Sequence, residues 1–195
     1  ISMGTAATTL FTLLGQKVTI TTPKVSILTM REITKQYPIP FVVIQVEYKQ
    51  GLEGSNLLVL RENDVKIIAD LMMGGDGTDA TSGELTELHL SAISEAMNQM
   101  VGSAATSLSE ILGKTIDIQP PIVSPMNFST EIPELETINP DDKVVKIAFQ
   151  MVIGDVITDS EIMQILPINF TKKMIGSLLQ SHTGQSAEEE EDITP

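Results

Sequence analysis

Apolar and polar positions follow two rhythms along this chain, and each rhythm occurs twice. The stretch FVVIQVEYKQGLEGSNLLVL, Phe41 to Leu60, is two apolar runs around Gly51 and Gly54. It predicts a hairpin with largely buried strands. KVVKIAFQMVIGDVITDSEIMQIL, Lys143 to Leu166, predicts a second hairpin turning at Gly154 and Asp155. Each is followed by an amphipathic helical segment, ENDVKIIADLMMG and INFTKKMIGSLLQ. Each is preceded by a helix that stops at a glycine, Gly15 or Gly113, as a left-handed C-cap requires. Short β-like stretches around prolines, KVTITTPKVSIL and TIDIQPPIVSPM, connect helix to hairpin. The loop from Gly74 to Gly83 joins the two sets.

The parallel order extends to individual residues. Shifted by 98 positions, Met3-Gly4-Thr5-Ala6-Ala7-Thr8 falls on Val101-Gly102-Ser103-Ala104-Ala105-Thr106, and Pro23 falls on Pro121. An internal repeat with matching Gly and Pro punctuation indicates a duplication. The predicted fold class is α+β: two pseudo-symmetric halves, about 1–75 and 84–180, sharing a largely antiparallel sheet with long helices packed on it. Residues 1–180 form the predicted domain. Residues 181–195, which include Glu188 to Asp192, have the composition of a flexible acidic linker or tail.

Composition narrows the chemistry. The 195 residues contain no Cys, which excludes disulfides, thiolate nucleophiles and Cys-ligated metals. It also suits a reducing cytoplasm. The net charge of −14 disfavours nucleic acid and anionic membrane surfaces as partners. No apolar run reaches the roughly 20 residues of a membrane span, and no signal peptide is visible. The start at Ile1, inside a helical pattern, suggests a piece of a longer protein. His89 and His182 lack metal-ligand spacing and read as surface residues. The Gly-rich MMGGDGTD lacks the lysine of a phosphate loop.

The candidate chemistry lies on the helix predicted from Glu84 to Leu112. At roughly 100° per residue, Ile93, Ala96, Met97, Met100, Ala104 and Leu108 gather into a buried stripe. Ser91, Glu95, Asn98 and Gly102 fall together on the opposite face. A carboxylate and a carboxamide thus point outward side by side. Solvation alone also places Ser, Glu and Asn on an outer face. Gly102 costs a helix interior about 1 kcal/mol relative to Ala, and Gly4 repeats it. The pair suggests close packing, either by a partner or between internal helices.

Ser91, Glu95, Asn98 and Pro121, at spacings of four, three and 23 residues, resemble the active-site pattern of the CheC–FliY–CheX family of phosphatases. The resemblance covers nearly the whole chain and is strongest to the middle domain of the FliY branch. It implies hydrolysis of the aspartyl phosphate on phosphorylated CheY, the chemotaxis response regulator, at the flagellar motor switch. That site lies on the cytoplasmic side of the membrane. On this reading Asn98 orients the attacking water and Glu95 docks the partner through its active-site lysine. Ser91 supports them, and Pro121 fixes the chain after the helix. No cofactor of its own is implied, since Mg²⁺ belongs to the phosphorylated partner. FliM- and FliG-type switch proteins would be partners of the full-length protein, with the acidic segment leading to a FliN-like domain. Gly4 and Pro23 are remnants of a first-half site whose Glu and Asn positions fall ahead of Ile1. The rival reading is a non-enzymatic structural or partner-binding module of the switch. The duplication alone would also permit a dimerisation or ligand-binding module.

Overall fold

The computed structural model describes residues 2–21, 23–37, 39–127 and 138–190, with side chains described between Gly4 and Gln180 of those ranges. Both predicted hairpins form. The strands β3 (Pro40–Gln50) and β4 (Ser55–Arg61) pair antiparallel, Val43 opposite Val59. The strands β7 (Lys143–Ile153) and β8 (Ile157–Pro167) do the same, Ala148 opposite Met163. The hairpins join side by side through β4 and β8, with Leu58 opposite Gln164.

The remaining strands change places between the halves. Two strands of the first half, β1 (Val18–Ile20) and β2 (Lys24–Thr29), pair with β7. Two of the second half, β5 (Asp117–Ile118) and β6 (Ile122–Asn127), pair with β3. The sheet order β1-β7-β8-β4-β3-β5, with β2 also on β7 and β6 also on β3, therefore reads alike from either edge. Registers repeat as well. Ile20 lies opposite Met151, and its counterpart Ile118 lies opposite Tyr48. Around the central pair, Leu57 faces Ile165 and Val59 faces Met163. This reciprocity is what a pseudo-two-fold axis through the Leu58–Gln164 pair produces.

One face of the sheet carries α1 (Ser2–Leu14), α3 (Glu62–Met72) and the long α4 (Glu87–Leu112). Leu10, Val42, Ile44, Leu58, Ile68, Ile93, Met97 and Met151 meet there in the main core. A second core, on Met30, Ile33, Phe41, Val59 and Ile165, involves a short helix that periodicity does not reveal, α2 (Met30–Gln36). Its seven residues span barely two turns, too few for a pattern. Its start is fixed locally: the Thr29 hydroxyl accepts from the Glu32 N–H while the Thr29 N–H donates to the Glu32 carboxylate at 2.8 Å, a capping box. With both faces covered, β3 and β4 are buried along nearly continuous stretches, which explains their unbroken apolar runs.

Helix α5 (Ile168–Glu190) closes a third cluster with Leu52, Leu112, Leu166 and Phe170. Its backbone is helical to Glu190, so the helix runs into the segment read as an acidic linker or tail. Residues 191–195 lie outside the described residues. The loop between the halves is fastened to α3. The Asp70 carboxylate accepts from the Gly77 N–H at 2.8 Å, and Lys66, buried and paired with Glu62 at 2.7 Å, donates to the Gly83 carbonyl at 2.8 Å.

Candidate active site

Helix α4 starts at Glu87 rather than Glu84 because Thr86 caps it. The Thr86 hydroxyl accepts from the His89 N–H, and the Thr86 N–H donates to His89 Nδ1 at 3.0 Å. His89 is thus half-buried and closes the helix start instead of standing free. His182 has no described side chain. At the other end Gly113 adopts φ +61°, the left-handed cap its position predicts.

The inward stripe holds at Ile93, Ala96, Met97 and Met100, all buried. Farther along, Val101, Ala105 and Leu112 are buried, while the predicted Ala104 and Leu108 are only half-buried. The reason is lateral: α1 lies along this part of α4 and takes up one side, and Ala104 and Leu108 line a cleft on the other. Small residues set the α1–α4 seam. Thr5 Oγ1 and Ser107 Oγ are 2.9 Å apart, and Thr9 donates to Ser103 at 2.8 Å. These two contacts exchange under the 98-residue offset.

Ser91, Glu95 and Asn98 are all exposed, on one outward face of α4. Side chains three and four apart on a helix are neighbours, with Cβ atoms about 5–6 Å apart. Gly102 continues the face, half-buried, and Gly4 is exposed on α1. A Cβ built at either glycine would meet no atom within 4 Å. Internal helix packing therefore does not require these glycines. Thr106 donates to the Gly102 carbonyl and Thr8 to the Gly4 carbonyl, each at 3.1 Å. Pro121 stands on a different element, half-buried directly before β6; Pro23 is exposed directly before β2. The structure thus sets Ser91, Glu95, Asn98 and Gly102 on one face of α4, with the two prolines on the chain before β6 and β2 and Gly4 on α1.

Two neighbours escape the motif. Gln99 Nε2 donates to Glu95 Oε1 at 2.5 Å, holding the carboxylate along the helix surface. Leu88 is 60 % exposed one turn before Ser91. The offsets of three and seven from Leu88 to Ser91 and Glu95 carry that signal in the sequence: an apolar residue on a polar face. Chemically, the face offers a charged acceptor, a neutral group that both donates and accepts, and an apolar contact, with open space beside Gly102. Among the described residues, no group of three or more His, Asp or Glu side chains is arranged to hold a metal ion. No described helix is long and apolar enough to cross a membrane.

The model of the CheC-like family matches residues 88–124, the stretch that contains Ser91, Glu95, Asn98, Gly102 and Pro121. Over all 195 residues the chain is 50 % identical to the flagellar motor switch phosphatase FliY of Bacillus subtilis, and it spans 50 % of that relative's length. The crystal structure of Thermotoga maritima FliY superposes with a TM-score of 0.84 at 43 % identity, covering 93 % of this chain and 91 % of that one. The middle domain of FliM from Vibrio alginolyticus shares the fold at 15 % identity, with a TM-score of 0.68 over 91 % of this chain and 97 % of that one. So does the chemotaxis protein CheX from Desulfovibrio desulfuricans, at 16 % identity and a TM-score of 0.53, over 85 % of this chain and 95 % of that one.

Proposed function

The chain belongs to the CheC–FliY–CheX family, and on that premise we propose that it is a phosphatase domain. Its substrate is the aspartyl phosphate of CheY at the flagellar motor switch. The observation that carries this reading is the joint exposure of Glu95 and Asn98, one helical turn apart, within the stretch that matches the family model. Burial of either against another helix would have removed it.

An acyl phosphate is already activated, so the phosphatase supplies position rather than a nucleophile. The Asn98 carboxamide accepts a hydrogen bond from a water and donates another, which aligns the water with phosphorus opposite the leaving oxygen. Water oxygen bonds to phosphorus, the bond from phosphorus to the aspartyl oxygen breaks, and aspartate and inorganic phosphate separate. A neutral amide suits this place, because a carboxylate would repel the phosphoryl oxygens. Glu95 pairs with the partner's active-site lysine and fixes the angle of approach. Gln99 holds the Glu95 carboxylate, and Gly102 leaves room for the partner's backbone. Pro121 sets the chain after α4. Mg²⁺ belongs to the phosphorylated partner and offsets phosphoryl charge there. FliM- and FliG-type switch proteins are its partners at the motor.

The test is to mix this chain with CheY phosphorylated by acetyl phosphate in the presence of Mg²⁺ and follow phosphate release. Acceleration that is lost in both Asn98→Ala and Glu95→Ala supports the reading. No acceleration at any concentration of the chain overturns it and leaves a scaffold of the switch.

A further inference from the structure

Beneath α1, α4 and α5 the sheet surface opens into a cleft of about 400 Å³. Its walls include Leu58, Met100, Phe149 and Leu166, with Ala104 and Ala105 leaving the space that larger residues would fill. Among the described residues, no Asp, Glu, Lys or Arg lines it, although the protein carries a net charge of −14. The polar side chains among its described lining are Tyr48, Asn56 and Gln164.

Asn56 is the unusual one. It is only 2 % exposed, and its Oδ1 has no hydrogen-bond partner. Its side chain lies beside the half-buried Tyr48, whose hydroxyl it can reach as a polar neighbour. Its carbonyl oxygen, buried and without a hydrogen-bond partner, belongs to a side chain that lines the cleft. An unpaired buried acceptor weakens a fold, and native proteins retain few of them. The pseudo-symmetry shows that the sheet does not need one there. Reflected through the Leu58–Gln164 pair, the position of Asn56 is that of Ile162, a core residue 1 % exposed. The same place in the other half is filled by plain apolar packing. A concave apolar site with few convergent polar groups is the usual form of a small-molecule pocket.

We propose that this cleft is a binding site for a neutral small molecule with an apolar body and one N–H or O–H donor, which Asn56 Oδ1 accepts. The uncharged walls select against ions, and the free acceptor selects for a donor. This site is separate from the outward face of α4 and does not rest on the phosphatase reading.

Indole is a suitable probe because the protein contains no Trp, so indole emission is read without background from that residue. Indole and 1-methylindole share an apolar body and differ in the N–H. Titrated against this chain, indole should bind saturably with a blue-shifted emission, and at least about tenfold more tightly than 1-methylindole, as one well-made hydrogen bond allows. In Asn56→Leu the preference should vanish, with 1-methylindole bound as well as indole. Ala104→Leu, which fills the cleft from its half-open side, should lose both probes while the circular dichroism melt stays cooperative. The proposal is overturned by an absence of saturable binding to the parent chain, by equal binding of the two probes there, or by a preference that survives in Asn56→Leu.

Discussion

Thr9 donates a 2.8 Å hydrogen bond to Ser103 across the seam between α1 and α4. Its mirror contact joins Thr5 to Ser107 at 2.9 Å. Two hydroxyl pairs thus fix the lateral register of the helix that presents Glu95 and Asn98. Thr9→Val and Ser103→Ala should each destabilise the protein by about 1 kcal/mol. The double variant should fall short of the sum by roughly 0.5 kcal/mol, since the second change removes an already broken bond. Urea unfolding of the four proteins measures this coupling.

Gly102 separates stability from activity. A Cβ at this position meets nothing within 4 Å, and Ala is favoured over Gly in a helix interior by about 1 kcal/mol. Gly102→Ala should therefore raise the midpoint of thermal unfolding. On the proposed function it should also raise KM for phosphorylated CheY, because the methyl group stands where the partner's backbone approaches. A gain in stability with unchanged kinetics would free Gly102 from that role.

Glu95 acts on the proposed reading as a charge on an exposed helix face, where attraction to a partner lysine is screened by salt. Glu95→Gln keeps the shape and the bond from Gln99 but removes the charge. Its kcat/KM should fall by about tenfold at low ionic strength. It should also lose most of the salt dependence of the parent, as read from phosphate release between low and high sodium chloride.

Asp64 gives the fold a pH signature remote from the site. Its carboxylate is buried and accepts a short hydrogen bond from Ser160. Burial raises its pKa above the ordinary 3.8, opposed by the Ser160 bond and by Arg61. A raised carboxyl pKa favours the protonated folded state. Its contribution is complete below the unfolded pKa and is lost as pH rises through the folded one. Asp64→Asn, which keeps an acceptor for Ser160, should therefore be more stable than the parent at neutral pH. The two should converge as pH falls below the unfolded pKa. Urea midpoints across pH 3 to 8 would show this convergence or its absence.

Much of this could be read from the chain because the decisive signals are local and periodic. Ser91, Glu95 and Asn98 stand out because α4 is 26 residues long, enough for its two faces to separate. The hairpins stand out because β3 and β4 are covered on both faces and so are nearly unbroken runs. What stayed hidden depends on partners distant in sequence. Nothing in KVTITTPKVSIL says that it pairs with β7 rather than with its own half's β3. Ala104 and Leu108 fit the inward stripe, and only the neighbouring α1 and the cleft decide that Val101 and Ala105 are buried more deeply. The role of His89 is carried by Thr86 three residues before it, a capping arrangement in which histidine takes the place usually held by Glu or Gln.

The exchange of β1 and β2 for β5 and β6 has a consequence for fragments. Severed at the Gly74–Gly83 loop, each piece would lack the strands that border its own hairpin, so neither should fold alone and the two should reassemble when mixed. The halves are mutual templates. A half could lose every group that does chemistry and still be retained, because its strands finish the sheet beneath the other half's helix. Such an arrangement would let one half drift in sequence while the other half's helix keeps its outward face.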